Sequence, residues 1–250
     1  MPTVLGELKP LLYDALLDKA RALALRPAPL GADVALAGAF VCVRDFAAAD
    51  ADALFRISSG APQGGIYRDL KFDADEMVWR YLTHGPFDTL GAFKAHHCDQ
   101  LQPDARHFVL THSTTSEPIG MLTLGDHSPR DLRVAIDSLW LAPAFQGSAV
   151  LTESVLLLLT HLFEGVGYRR VEWKCDGHNV RARRAAHSLG LTFEGVLRKH
   201  MVVKSCNRDS VVFAAINSEW PVLKDQLLAK LQQARLACGM VDSEESMKTR

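Results

Sequence analysis

Between Leu132 and Phe163 the chain passes from a strand-like segment, through the short loop Gln146-Gly-Ser-Ala149, into the strongest helical signal in the sequence, Val150 to Phe163. The most apolar part of that helix, Val155 to Phe163, falls well short of the ~20 residues a membrane helix needs. Thr160 and His161 also interrupt it. The loop is small or polar and stands where a helix begins. Free backbone N–H groups point out of such a start, and the helix dipole adds partial positive charge. That combination suits a phosphate or pyrophosphate, although a plain cap by Ser148 or Thr152 would give the same pattern.

The rest of the chain sets this unit in a mixed α/β domain. Apolar residues at helical spacing predict a helix over 5–25. Phe40 to Arg44 reads as a strand, and a helical segment follows to Ser58 with Asp50 as its possible cap. Asp75 to Leu82 and Leu90 to Leu101 read as helices. Strands follow at His107–Thr111, Glu117–Leu124 and Leu132–Leu141. After the central helix come a strand at Arg170–Cys175 and a helix at Val180–Leu189 closed by Gly190. Strands are expected at Thr192–His200, Met201–Ser205 and Ser210–Asn217. A last helix opens with Ser218 as cap and Pro221 in its first turn, and runs to about Cys238, before a polar tail at 241–250. The expected division is an N-terminal helical extension over 1–34, a main domain over 35–221, and a C-terminal helix and tail over 222–250.

Composition excludes several classes. The 250 residues carry 28 Lys+Arg against 29 Asp+Glu and are 48% hydrophobic, so a disordered chain and a disulfide-stapled miniprotein are both out. A net charge of −1 gives no overall drive toward nucleic acid or an acidic membrane. Five cysteines with no C-x-x-C pair read as free thiols in a reducing compartment. No signal peptide is evident, and a cytoplasmic location is expected. Charge is nevertheless uneven: Tyr168 to Arg208 holds ten Lys/Arg against three acids, which suits a polyanionic ligand or a solvated basic face. Few aromatics interleave with those cations, so nucleic acid is not the expected partner.

Longer words recur in order. Gly167-Tyr-Arg-Arg-Val-Glu-Trp-Lys-Cys-Asp176 is followed by Asn179, Ala185-Ala186, Leu189-Gly190-Leu191 and Phe193-Glu194-Gly195. Tyr81-Leu82, Gly85-Pro86-Phe87, Thr152-Glu153, Asn207-Arg208-Asp209 and Ser218-Glu219-Trp220-Pro221 accompany them. Over about residues 35 to 221 this pattern resembles the GNAT superfamily of acyl-CoA-dependent N-acetyltransferases. Within it, the chain is similar to the branch that includes the ribosomal-protein N-terminal acetyltransferases. The resemblance implies an α+β fold: one twisted, mostly antiparallel sheet flanked by helices and splayed between its fourth and fifth strands, here 132–141 and 170–175. It implies acetyl-CoA as cosubstrate, with the backbone of Leu139, Trp140 and Leu141 along its pantetheine arm. Gln146, Gly147, Ser148, Ala149, Val150, Leu151 and Thr152 would stand at the pyrophosphate, and Asn179 near the thioester. Arg181 and Arg184 are assigned to the phosphates on charge alone. Trp79, Tyr81, Leu82, Pro86 and Phe87 would wall the acceptor side.

The acceptor would be a primary amine, a peptide N-terminus or a small molecule, taken by a monomer or homodimer. An α-amino group, with a pKa of about 7.7–8.0, needs less deprotonation than a lysine at about 10.4. Two residues usual in the family are replaced here, by Ala186 and Ala182, and a frequent carboxylate position is Ala135. The proton acceptor is therefore assigned to Asp137, through water, with Glu172 as the other candidate; strand register decides where Asp137 points. Cys175 reads as buried filler. His127 could approach the amine. His96 and His97 are adjacent on a helix and diverge, so no metal is expected. For Arg208-Asp209 an ion pair within the hairpin is preferred over substrate contact. The alternative to an enzyme is a catalytically weak module that binds or senses acyl-CoA.

Overall fold

The computed structural model describes residues 18, 34–68, 70–99 and 105–239. The tail at 241–250 lies outside them, as does the helix expected over 5–25 except for Asp18. The element order is β1 (Ala35–Ala37), β2 (Val41–Asp45), α1 (Ala51–Ser58), α2 (Leu90–Lys94), β3 (Arg106–His112), β4 (Pro118–Ser128) and β5 (Arg133–Leu141). Then come α3 (Ala149–Thr160), β6 (Arg170–Asp176), α4 (Val180–Ser188), β7 (Thr192–Val203), β8 (Cys206–Ile216) and α5 (Trp220–Ala237). A wide, π-type turn at Asp75–Trp79 stands where a regular helix was expected. A similar turn at Ala95–Asp99 extends α2, and another at His161–Val166 extends α3.

The eight strands form one sheet in the order β1-β2-β3-β4-β5-β6-β8-β7. Every neighbouring pair is antiparallel except β5 and β6. The strands that splay are those expected, 132–141 and 170–175; because β1 precedes the strand expected first, they are numbered β5 and β6. Both faces of the sheet are covered. Phe108, Leu110, Leu122, Val134 and Ile136 face a core shared with α3, α4 and α5. Val109, Met121 and Trp140 face a second core under α1, the Asp75–Trp79 turn and α2. Burial on both faces explains why the central strands are apolar nearly throughout. Leu223, Leu227 and Leu231 of α5 belong to the first core, so the C-terminal helix is part of the same packed unit. Ala149–Val166 has the length and composition of a membrane-crossing helix, yet over half of it is buried inside the fold.

One local expectation is refined and two are corrected. Asp50 is the N-cap residue of α1 but gives it no side-chain hydrogen bond; its carboxylate pairs with Arg44 at 2.7 and 2.8 Å and accepts from Ala47 N at 2.9 Å. Glu219, not Ser218, is the residue before α5. Thr192–Val203 is one irregular strand, not two. It turns into β8 at Lys204 and Ser205, both with positive φ, the left-handed pair that a tight hairpin turn requires.

One buried carboxylate ties α3 to the edge of the sheet. Glu153, 3% exposed, accepts from the backbone N–H groups of Ala39, Phe40 and Val41 at 2.8, 2.6 and 3.0 Å. A Cβ on Gly38 would lie 2.4 Å from this carboxylate, so the β1–β2 turn needs glycine there. Removing the carboxylate leaves buried donors unmet. Glu153→Ala is expected to cost about 3 kcal/mol in urea unfolding, and Gly38→Ala also destabilises. Equal midpoints for Glu153→Ala and the parent protein would contradict this.

Candidate acyl-CoA cleft

The parallel ladder between β5 and β6 runs only from Arg133↔Arg170 to Ile136↔Trp173. β5 continues to Leu141, and β6 to Asp176, with a gap opening between them. The divergence begins at a β-bulge. Thr123 of β4 faces Ser138 and Leu124 faces Ile136, so Asp137 is an extra residue in the strand. A bulge bends its strand and re-aims side chains. Here Val134 and Ile136 face the first core before it, and Trp140 faces the second core after it.

On the closed side of the gap the strands are clamped by charge. Glu172, 8% exposed, meets Arg170 at 2.8 Å, Lys174 at 2.9 Å and Arg133 at 3.7 Å. Arg170 reaches Glu194 at 2.7 Å, and Lys174 reaches Asp126. The network therefore joins β4, β5, β6 and β7. Burial opposes ionisation of Glu172, but the hydrogen bonds from Arg170 and Lys174 outweigh it and hold the carboxyl below its usual range. Glu172 lines neither the cleft nor the recess beside it. Its geometry is that of a clamp, not of a base facing a substrate.

On the open side is a cleft of about 540 Å3. Leu139, Trp140 and Leu141 line one wall, and the edge of β5 that faces it is past the last pairing with β6. Gln146, Gly147, Ser148, Leu151 and Thr152 line the end at α3; Ala149 and Val150 do not reach it. Ser148 caps α3, accepting from Val150 N at 3.3 Å and donating to Phe145 O at 2.7 Å. Gly147 has φ of +72°, a left-handed backbone that disfavours a side chain. Gln146 Nε2 is committed to Met77 O at 3.1 Å and Leu141 O at 3.0 Å, so it braces the loop instead of facing the cleft with a free amide.

The opposite wall is α4. Asn179 caps it, its side-chain oxygen accepting from Ala182 N at 3.0 Å, and lines the cleft with Arg181 and Arg184. Arg181 spans the mouth to donate to Glu76 O at 2.6 Å. Arg184 has no such partner among the described residues and is available to an anion. The local excess of Lys/Arg is not one continuous patch. Arg170 and Lys174 belong to the clamp, Arg169 donates to Asp131 O, Arg183 to Gly177 O and Lys204 to Trp79 O.

Tyr81 and Leu82 line both the cleft and an adjoining recess of about 50 Å3, together with Asp137, Ser138, Cys175, Asp176 and Arg208. The register at the bulge leaves Asp137 exposed toward this recess, and its Cβ would meet one on Gly125 at 3.3 Å, so the β4 glycine makes room for it. Burial pushes the Cys175 thiol up to about 11, which suits filler and not a nucleophile. Trp79, Pro86 and Phe87 do not line the cleft. Trp79 is buried, donating to Ser58 O at 2.6 Å with Phe87 edge-on at 5.3 Å. His127 is also elsewhere, its ring 5.6 Å from Tyr168. Ala182 faces the cleft, whereas Ala186 is fully buried.

Arg208 is the main residue that sequence reading undervalued. The expected pair with Asp209 does not form. Asp209 accepts from Lys199 N at 2.7 Å and Asn207 Nδ2 at 2.9 Å, while Arg208 is 6% exposed, lines the recess and leaves its Nε without a partner among the described residues. The signal was strand alternation, which sends neighbours to opposite faces. Trp173, Met77 and Glu76, also at the cleft, come from segments whose placement needs the fold.

Residues 41–192 match the family described as the acetyltransferase (GNAT) domain. The chain belongs to this family. A GCN5-related N-acetyltransferase from Brucella melitensis is 29% identical with a TM-score of 0.71, over 80% of this chain and 86% of that one. Mycobacterium smegmatis RimJ, solved in complex with CoA-disulfide, shares the fold at 21% identity and a TM-score of 0.59, over 79% of this chain and 93% of that one. "Putative ribosomal N-acetyltransferase YdaF" of Bacillus subtilis is 27% identical over 81 residues, 32% of this chain. The chain spans 44% of the length of that curated relative.

The clamp and the brace generate a prediction each. A carboxyl held below its ordinary range contributes stability that is present above the unfolded pKa and lost as pH falls through the folded one. Glu172→Gln is therefore expected to flatten the acid limb of a stability-against-pH curve below about pH 4, read by urea midpoints. An unchanged acid limb would count against the clamp. Gln146→Ala is expected to weaken CoA binding about tenfold by calorimetry while leaving the fold's far-UV spectrum intact.

Proposed function

We propose that this chain transfers an acetyl group from acetyl-CoA to a primary amine, on a peptide N-terminus or a small molecule. The observation that carries the reading is the gap between β5 and β6, bordered by an unladdered strand edge, a capped helix N-terminus and Arg184, which has no partner among the described residues. The family uses acetyl-CoA, and the residues here fit it. The β5 edge past the last pairing matches an amide-bearing arm, Gly147 with the start of α3 at Leu151 and Thr152 matches a pyrophosphate, and Arg184 matches a phosphate.

When bound, acetyl-CoA supplies an activated acyl carbon. The chain's own part is orientation, desolvation and proton removal. Tyr81, Leu82 and Trp173 give the acceptor an apolar approach, which lowers an amine's pKa by disfavouring the ammonium. Asp137, at the bulge and beside the recess, takes the amine proton directly or through a water. A backbone N–H of β5 beyond the splay stabilises charge developing on oxygen. For Glu172 the ion pairs with Arg133, Arg170 and Lys174, and its place outside the cleft lining, support a clamping part over that of the base.

Free-thiol release from acetyl-CoA over a panel of N-terminal peptides and small amines tests the reading. Turnover is expected with at least one amine. Asp137→Asn is expected to lower kcat/KM by about 10²-fold or more, with partial recovery as pH rises toward the amine's own pKa. Cofactor binding without thiol release from any amine would favour the sensing module, and an unchanged Asp137→Asn profile would remove Asp137 from the mechanism.

A further inference from the structure

Away from the cleft, three imidazoles converge. His84 follows the Tyr81-Leu82 wall, and His96 and His97 lie on the wide turn that extends α2. Their ring centroids are 4.5 Å apart for His84–His96, 4.7 Å for His96–His97 and 5.5 Å for His84–His97. One nitrogen of each lies within 4.8 Å of the others. Adjacent histidines on a regular α-helix would diverge. The wide turn at Ala95–Asp99 changes that spacing, and the loop before α2 brings in the third ring.

His97 supplies the second observation. It is 1% exposed, and neither ring nitrogen has a hydrogen-bond partner among the described residues. A buried polar group without a partner is rare in a folded protein, and an unmet ion is one of its ordinary explanations. We propose that His84, His96 and His97 form a binding site for one zinc-class divalent transition-metal ion. Imidazole nitrogen suits such ions, with bonds of about 2.0–2.1 Å, and three protein ligands leave a fourth position for water. Tetrahedral ligands at that length stand about 3.3 Å apart, so small ring rotations would bring the nitrogens in. Thr83 Oγ1, 3.3 Å from His84 Nδ1, orients the first ring.

The protonation states agree. Burial, then the neighbouring His96, His107 and Lys204, push His84 down to about 3. Burial, ahead of the neighbouring histidines, also lowers His97, and burial lowers His96. Each of these shifts disfavours the imidazolium, the form with no lone pair for a metal. The surroundings are apolar: Phe87 and Phe93 pack on the cluster at 5.3 Å from His96 and 4.4 Å from His97. A bound ion would pin the loop carrying His84 to the α2 segment, and so steady the wall formed by Tyr81 and Leu82. The site does not depend on the acetyl-transfer reading.

The test uses the full-length protein, stripped with chelator and titrated with Zn2+ by calorimetry, with metal content counted by mass spectrometry after dialysis. One equivalent is expected at micromolar affinity or tighter, and Zn2+ should raise Tm. Co2+ should give the intense visible bands of a four-coordinate site. His97→Gln and His84→Gln are each expected to weaken binding at least tenfold, whereas His178→Gln, at an exposed position, should not. Parent protein that binds no metal, or variants at 84 and 97 that bind as the parent does, would overturn the proposal. The cobalt spectrum of the unaltered protein keeps the test decisive should a variant fail to fold.

Discussion

The partial ladder between β5 and β6 governs this molecule. Four register pairs hold the two strands, from Arg133↔Arg170 to Ile136↔Trp173, and then the strands part. A sheet cannot simply stop pairing in its interior, because exposed strand edges carry unmet N–H and C=O groups. Two devices make the parting stable. The charge clamp centred on Glu172 fastens four strands on the closed side. The bulge at Asp137 bends β5 away on the open side. The edge so exposed is ready to accept a ligand with a peptide-like arm.

Everything around the gap holds this opening at fixed width. Glu153 nails α3 to the first hairpin, so the helix N-terminus stays at the mouth. Gln146 ties the preceding loop to both the end of β5 and the Asp75–Trp79 turn. Arg181 and Lys204 bridge to that same turn from α4 and from the β7–β8 hairpin. Each link is a charge-assisted or amide hydrogen bond to backbone. Together they make a pre-formed cleft, which lowers the ordering cost of binding.

Much of this could be read from residues alone, and the failures have physical causes. The strands at 107–111, 117–124 and 132–141 are legible because alternation and turn residues agree, and α3 because its apolar run is long. Resemblance places Trp79, Pro86 and Phe87 on the acceptor wall, yet Trp79 finds its indole partner at Ser58 and turns into the second core. Sequence carries no such partner. Adjacency suggests a pair for Arg208 and Asp209, but alternation along β8 sends consecutive side chains to opposite faces. The direction of Asp137 was undecidable, since one extra residue in β5 reverses alternation and nothing local marks a bulge. His96 and His97 diverge on a regular helix, a geometry that the wide turn at Ala95–Asp99 does not follow.

The central claim is that the gap between β5 and β6 receives CoA. Calorimetric titration of the protein with acetyl-CoA, with CoA and NADH as controls, tests it most directly. The account predicts micromolar binding of acetyl-CoA and CoA, no binding of NADH, and a large loss of affinity when a bulky side chain replaces Gly147 at the α3 loop. Absence of acetyl-CoA binding by the intact protein, or binding indifferent to that replacement, would contradict it.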